Sequence, residues 1–197
     1  MEYKVCLFGF EHSGVRSLVH RLSSDNFSGR PIIFKEEYQS IEYKINKKVV
    51  KIQIWDNLTL EQKHKSTNDS FIKDASAIII VCDILQPNIV IKFKSLVTKI
   101  LLFKPNCKIL IAFSKSDLPN SGIDLEIAEL ILEKKLNMVS VSSKTGDGIP
   151  KIKEFIISQI QEDMSKKETS TLLSSNAKTY FTKEKKGLSR IRQFCKF

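Results

Sequence analysis

A chain of 197 residues with 42% hydrophobic and 27% charged content is ordinary for one soluble α/β domain with a tail, and is long enough to bury a real core. No run approaches the roughly 20 uninterrupted apolar residues of a membrane span, and the start, MEYKVCLFGF, has neither the basic region nor the small-residue site of a secretory signal. The net charge of +10 is uneven: nine Lys/Arg against three Asp/Glu put +6 of it in residues 163–197, which suits an acidic partner, anionic membrane first, as well as a merely solvated end.

Strands are expected at 3–8, 38–46, 48–55, 77–83, 108–113 and 138–142, where β-branched residues run together or alternate with polar ones. Helix-period segments fall at 15–23, 62–73, 88–103, 124–135 and 149–163. Lys47 and Lys48 separate two alternating strands and suggest a hairpin. The remaining strands look buried and are separated by helices. This predicts an α/β fold with a six-stranded, mainly parallel sheet, one antiparallel edge strand and helices on both faces. Beyond residue 163, SKKETSTLLSSNAK reads as a polar linker, so the expected division is a domain over 1–163 and a flexible basic tail over 164–197. Cys6, Cys82, Cys107 and Cys195 show no CxxC spacing, and three of them lie in apolar, strand-like runs. A reduced cytosolic compartment fits that usage. In such a sheet ligands bind beyond the carboxyl ends of the strands, so chemistry is expected in the loops after residues 8, 55, 113 and 142.

The first of these loops is GFEHSGVRSL, residues 9–18. Gly9 and Gly14 have the spacing of a GxxxxGK[ST] phosphate loop between a strand and a helix. Val15 stands at the lysine position and Arg16 at the hydroxyl that would hold Mg²⁺. Backbone N–H groups at the helix start still favour an anion. The missing lysine removes charge-assisted hydrogen bonds of about 1.5–3 kcal/mol each. Glu11 would repel a phosphate charge ~5 Å away by about 3 kcal/mol at an effective dielectric of ~20. Arg16 can offset part of this by forking onto phosphate oxygens; as an ordinary first-turn residue it would simply face water.

The third strand ends in KIQIWDNLTLE (51–61) and is preceded by the loop SGRPIIFKEEY (28–38). SKSDL (114–118) follows the fifth strand, and VSVSSKTGDGI (139–149) contains the sixth. Each Lys or Asp alone reads as a solvated loop charge. Two such motifs after the expected strands do not.

Together these segments resemble the Rab type of the Ras superfamily of small GTPases, over about 160 residues. Lys51, Ile52, Gln53, Ile54, Trp55, Asp56 and Glu61 stand in register with the family's K-L-Q-I-W-D-T-A-G-Q-E. On that resemblance Asp56 reaches Mg²⁺ through water, Thr59 replaces the glycine that meets the γ-phosphate, and Leu60 replaces the glutamine that orients the attacking water. Ile33 falls at the Mg²⁺-binding threonine of the first switch, where Arg30 and Pro31 also break the usual pattern. SKSDL resembles NKxDL: Asp117 would accept the guanine N1–H and exocyclic amine, and Lys115 would lay its stem over the ring. Ser114 replaces the asparagine that ties this loop to the phosphate loop, so that tether is shorter. VSVSSKTGDGI resembles ETSAKTGENV, with the Ser143 N–H meeting the base carbonyl and Lys144 flanking the ring.

The resemblance therefore implies a P-loop NTPase-type G domain. Its phosphates would lie at Gly9, Ser13, Gly14, Val15, Arg16 and Ser17, and its base at Ser114, Lys115, Asp117, Leu118, Ser142, Ser143 and Lys144. It implies GTP or GDP as the bound nucleotide, no assigned catalytic residue, and an incomplete Mg²⁺ set in which Asp56 makes a weak contact. The protein it describes holds GDP in preference to GTP, weakly, and hydrolyses slowly or not at all. Such a protein would act in vesicle trafficking, cytoplasmic or peripheral on the cytosolic face of membranes, through effector or regulatory proteins at the switch surface, with no nucleic-acid partner. A nucleotide-free pseudo-GTPase scaffold is the alternative, and an active GTPase relying on Arg16 a third reading. The end, RQFCKF, is not a CaaX box. If 187–197 became helical, Leu188, Ile191, Phe194 and Cys195 would share one face, with Arg190, Arg192 and Lys196 off it. That is a short basic amphipathic helix, which palmitoylation of Cys195 would reinforce on membranes.

Overall fold

The computed structural model describes residues 1–58, 70–83, 85–119, 123 and 125–169. Six strands, β1 (Glu2–Gly9), β2 (Tyr38–Ile45), β3 (Lys48–Asp56), β4 (Ala75–Cys82), β5 (Ile109–Phe113) and β6 (Asn137–Ser140), form one sheet in the order β2-β3-β1-β4-β5-β6. β2 runs antiparallel to β3, and the remaining neighbours pair in parallel. Burial explains why the apolar runs were so continuous. Residues 5–9, 77–82 and 109–113 are buried whichever face they point to, whereas edge strand β2 alternates between half-buried and exposed positions.

The turn joining β2 and β3 is Asn46–Lys47, one residue earlier than the Lys47–Lys48 pair expected, and Lys48 already pairs with Ile45. Asn46 and Lys47 both have left-handed φ values, 49° and 64°. Two successive left-handed residues suit a two-residue hairpin turn, whose twist matches that of the strands it joins.

The helices are α1 (Val15–Ser24), α2 (Ser70–Lys73), α3 (Ile89–Phe103), α4 (Leu125–Glu133) and α5 (149–169). Phe93, Val97 and Ile100 of α3 and Ile127 and Ile131 of α4 join Cys6, Phe8, Ile78, Ile80, Ile111 and Phe113 in one core. Residues of the opposite parity, Val5, Leu7, Ile79 and Val81, face the other side and are just as buried. There α1, which touches β1, β2 and β3, buries Leu18, Val19 and Leu22. Burial pushes the Cys6 and Cys82 thiols up to about 12, so at neutral pH they behave as inert core residues.

The chain divides into two compact units, Met1–Ile160 and Gln161–Phe197. In the first, Ile149, Ile152, Ile156 and Ile160 are buried at helical spacing. In the second, residues 161–169 remain helical, beyond the end at 163 that the polar composition suggests, and Lys166 pairs with Glu162 at 3.1 Å. Of the expected helix 62–73, residues 62–69 lie outside the described residues, as does the chain from 170 onward, Cys195 included.

Candidate functional site

Residues 10–14 carry the chain from β1 into α1, and both glycines of the motif serve the backbone. A Cβ on Gly9 would lie 2.5 Å from Ser13 Oγ and 2.9 Å from Val15 Cβ. Gly14 caps α1 at φ 86°, a left-handed value that L side chains rarely adopt. The Ser13 N–H donates to the Phe10 carbonyl at 3.0 Å and closes the turn. Beside this loop lies a cavity of about 730 Å³ whose walls include Gly14, Arg16, Ser17, Lys115 and, from the segment before β2, Pro31 and Ile32. The first N–H groups of α1 have no acceptor within the helix, which makes this end of the cavity suited to an anion.

Two side chains decide the charge there. Val15, at the lysine position, is only 1% exposed and belongs to the core. Arg16 lines the cavity, and its Nε and Nη2 are shielded from solvent with no hydrogen-bond partner. It is not the freely solvated first-turn residue that the sequence also allows. Glu11 and His12 are exposed on the loop.

β3 reaches the same place. Asp56, its last residue, is buried. Sequence reasoning passes over the next residue, Asn57, which proves central. Its Oδ1 accepts from the Gly9 N–H at 2.8 Å and its Nδ2 donates to the Gly9 carbonyl at 3.0 Å. This two-point clasp ties the start of the phosphate loop to the end of β3, and an amide side chain suits it because it carries both an acceptor and a donor. The available signal was an Asn immediately after a buried strand end.

Of the Mg²⁺ contacts that the family resemblance implies, Asp56, the water-mediated one, is present, but the two hydroxyl ligands do not fit the residues present. Arg16 has no lone pair to offer a metal, and Ile33, at the second hydroxyl position, is 84% exposed. Among the described residues no group of three or more His, Cys, Asp or Glu side chains could hold a metal ion. Thr59 and Leu60 lie outside the described residues.

The loops after β5 and β6, expected from the resemblance to face the base, are better furnished. The Ser114 hydroxyl donates to the Ser13 carbonyl at 2.6 Å, so the tether between the two loops is made despite the shorter side chain. Lys115 takes a left-handed φ of 60°, and its ammonium pairs with Asp83 Oδ2 at 2.7 Å. Asp83 follows β4, a loop outside those expected to carry chemistry, and its other oxygen accepts the Leu85 N–H. A carboxylate closing the apolar run AIIIVCD was the signal for it. The ion pair fixes the end of the half-buried Lys115 side chain.

Asp117 Oδ1 accepts the Ser142 hydroxyl at 2.7 Å, and that hydroxyl accepts the Thr145 N–H at 3.1 Å. Backbone bonds from Ser116 to Val141 and from Gly146 to Ser142 make the loops after β5 and β6 one hydrogen-bonded unit. Ser143 is half-buried and Lys144 exposed on that unit, while the Leu118 N–H closes the turn onto the Lys115 carbonyl. The Ser142 hydrogen bond holds the Asp117 carboxyl below its ordinary 3.8. A carboxyl depressed by folding contributes stability above its unfolded pKa, and that contribution fades as the pH falls through the lowered folded value. Ser142→Ala is therefore expected to let the Asp117 pKa rise toward 3.8, read by carboxyl ¹³C NMR. An unchanged titration would remove Ser142 as the cause.

A glycine-bounded turn at the sheet's carboxyl edge, tethered to an Asp-bearing loop, lies where open α/β sheets bind their ligands. The Ras family model matches residues 4–162. The chain belongs to the Ras family. It is similar to the Ras-related protein RabC of Dictyostelium discoideum, 24% identical over 168 residues that cover 82% of this chain and 85% of that protein. Ras-family membership implies a guanine nucleotide, and this Rab-like member keeps the six-stranded sheet of such a G domain.

Beside the site, the Ras-family chain carries a cluster of aromatic rings. Tyr38 and Trp55, paired across β2 and β3, have centroids 4.9 Å apart, and Phe71 of α2 lies 6.4 Å from Trp55. The Lys4 ammonium sits 4.9 Å from the Trp55 ring and 4.6 Å from that of Phe71. Tyr38 and Trp55 stay half-buried, so part of this rigid apolar surface faces outward. No helix of the described residues is long and apolar enough to cross a membrane.

Proposed function

We propose that this Rab-like protein binds guanine nucleotide weakly, GDP in preference to GTP, hydrolyses GTP slowly or not at all, and acts in intracellular membrane trafficking through protein partners. The contrast between the two ends of the site carries this reading. Asp117, oriented by Ser142 and exposed, can present its carboxylate to a guanine edge, and Lys115, two residues before it, is anchored by Asp83. At the phosphate end the lysine position is buried as Val15, and Ile33 turns outward where a γ-phosphate sensor needs a hydroxyl. Without those contacts a third phosphate adds charge but few partners, which favours the diphosphate. The Tyr38–Trp55–Phe71 cluster offers partners the kind of rigid aromatic anchor that dominates binding energy at interfaces.

Fluorescent GDP and GTP titrated into the purified chain test the nucleotide reading. GDP is expected to bind at or below ~100 μM and GTP more weakly, with turnover below the order of 10⁻⁴ s⁻¹. Binding of neither at that concentration would leave the second reading, a nucleotide-free scaffold. The buried Val15 and the carboxylate of Glu11 in the phosphate loop are the observations that favour it.

The proposal extends to a G domain over 1–163 followed by a basic tail that docks on the cytosolic face of anionic membranes, with Cys195 as an acylation site. The full chain is expected to float with anionic liposomes and a chain ending at 169 to remain behind. Equal flotation would dismiss the membrane role.

A further inference from the structure

We infer that nucleotide is held at this site without Mg²⁺, with the Arg16 guanidinium carrying the positive charge that the phosphates require; the inference rests on the nucleotide reading above. Phosphate oxygens entering the cavity bring several negative charges, which need neutralising as well as hydrogen bonding. Among the described residues lining the cavity, three carry a formal charge. Glu11 is negative and works against an anion. Lys115 is already paired with Asp83 at 2.7 Å. Arg16 is the third, and its shielded, unpartnered Nε and Nη2 lack the acceptor that a desolvated guanidinium needs.

The same residue works against the metal, for which Asp56 would remain as a contact through water. A guanidinium has no lone pair, cannot lose its proton in a protein, and repels a divalent cation placed beside it. Ile33, at the other hydroxyl position, is 84% exposed and brings no oxygen back to the cavity. Arg16 also stands in the first turn of α1, so its charge adds to the helix N–H groups at the same end of the cavity. One substitution thus removes a metal ligand and installs a fixed cation that takes over its neutralising role.

The test is a titration of fluorescent GDP into the full chain, in excess Mg²⁺ and again in EDTA, for the natural sequence, Arg16→Gln and Arg16→Lys. For the natural sequence the two buffers are expected to give Kd values within about fivefold of each other. Arg16→Gln, which keeps a polar donor but loses the charge, is expected to weaken binding by about tenfold or more in both buffers. Arg16→Lys keeps the charge without the fork and is expected to lie between them, still indifferent to EDTA. Mg²⁺ tightening binding to the natural sequence by more than about fivefold overturns the inference. So does Arg16→Gln binding as well as the natural sequence, or Arg16→Lys losing as much as Arg16→Gln, which would make Arg16 a packing residue. Should Arg16→Gln fail to fold, the two-buffer comparison on the natural sequence still decides. No GDP bound in either buffer defeats the nucleotide reading itself, an outcome distinct from binding that needs the metal.

Discussion

Asp117→Ala is expected to abolish measurable GDP binding, with a loss of roughly 10²–10⁴-fold. On the proposed reading the Asp117 carboxylate accepts two N–H groups from the guanine edge. Each charge-assisted hydrogen bond contributes about 1.5–3 kcal/mol, so the pair is worth ~3–6 kcal/mol. Adenine offers no such pair of adjacent donors, so the same side chain selects the base. The geometry supports so large an effect because Asp117 is already oriented by the Ser142 hydroxyl at 2.7 Å, which is itself fixed by the Thr145 N–H. Little ordering is left to be done on binding. The variant should stay folded, since the Asp117 side chain lies at the surface of the loop and only the buried Ser142 hydroxyl loses a partner. Fluorescence titration beside a thermal melt separates the two effects. Retention of GDP affinity by a folded Asp117→Ala protein would mean that the base does not bind here.

Asn57→Ala is expected to destabilise the fold by about 2–5 kcal/mol, from two lost hydrogen bonds and the exposure of the Gly9 N–H and carbonyl to an unfilled space. That is a large share of the ~5–15 kcal/mol that holds a typical domain together. Asn57→Asp tests the mechanism more sharply, because it keeps the acceptor for the Gly9 N–H but sets a carboxylate oxygen against the Gly9 carbonyl. It is expected to be no better than alanine. Denaturant unfolding of both variants gives the number. A shift below about 1 kcal/mol would indicate that water replaces the side chain, since a solvated pair loses little.

The sheet was legible because strands covered on both faces leave uninterrupted β-branched runs, and AIIIVCD and KILIAF delimit β4 and β5 to within two residues. The hairpin was placed one residue late because Lys47 and Lys48 are indistinguishable by composition. Left-handed backbone at Asn46 and Lys47 settles which of them turns. The helix past 163 escaped notice because Lys, Glu and Met are good helix formers that, mixed with Ser and Thr, look like a linker. Gly9 and Gly14 were legible because motif spacing follows local backbone need. Asn57 and Asp83 were not, because each acts on a group 48 or 32 residues away that only the folded sheet brings near.

The sequence by itself thus determined the six-stranded, mainly parallel sheet, which follows from periodicity along the chain, and its motifs carried the resemblance to the family that the chain belongs to. The charge state of the phosphate end was decided by the tertiary structure. Val15 and Arg16 are neighbours in the first turn of one helix, yet Val15 is buried at 1% exposure while Arg16 is half-buried with two shielded nitrogens unpartnered. Helical rotation sends successive residues to different surroundings, and those surroundings come from other strands and loops. Whether a side chain is neutralised, shielded or left wanting a partner is therefore a property of the assembled fold.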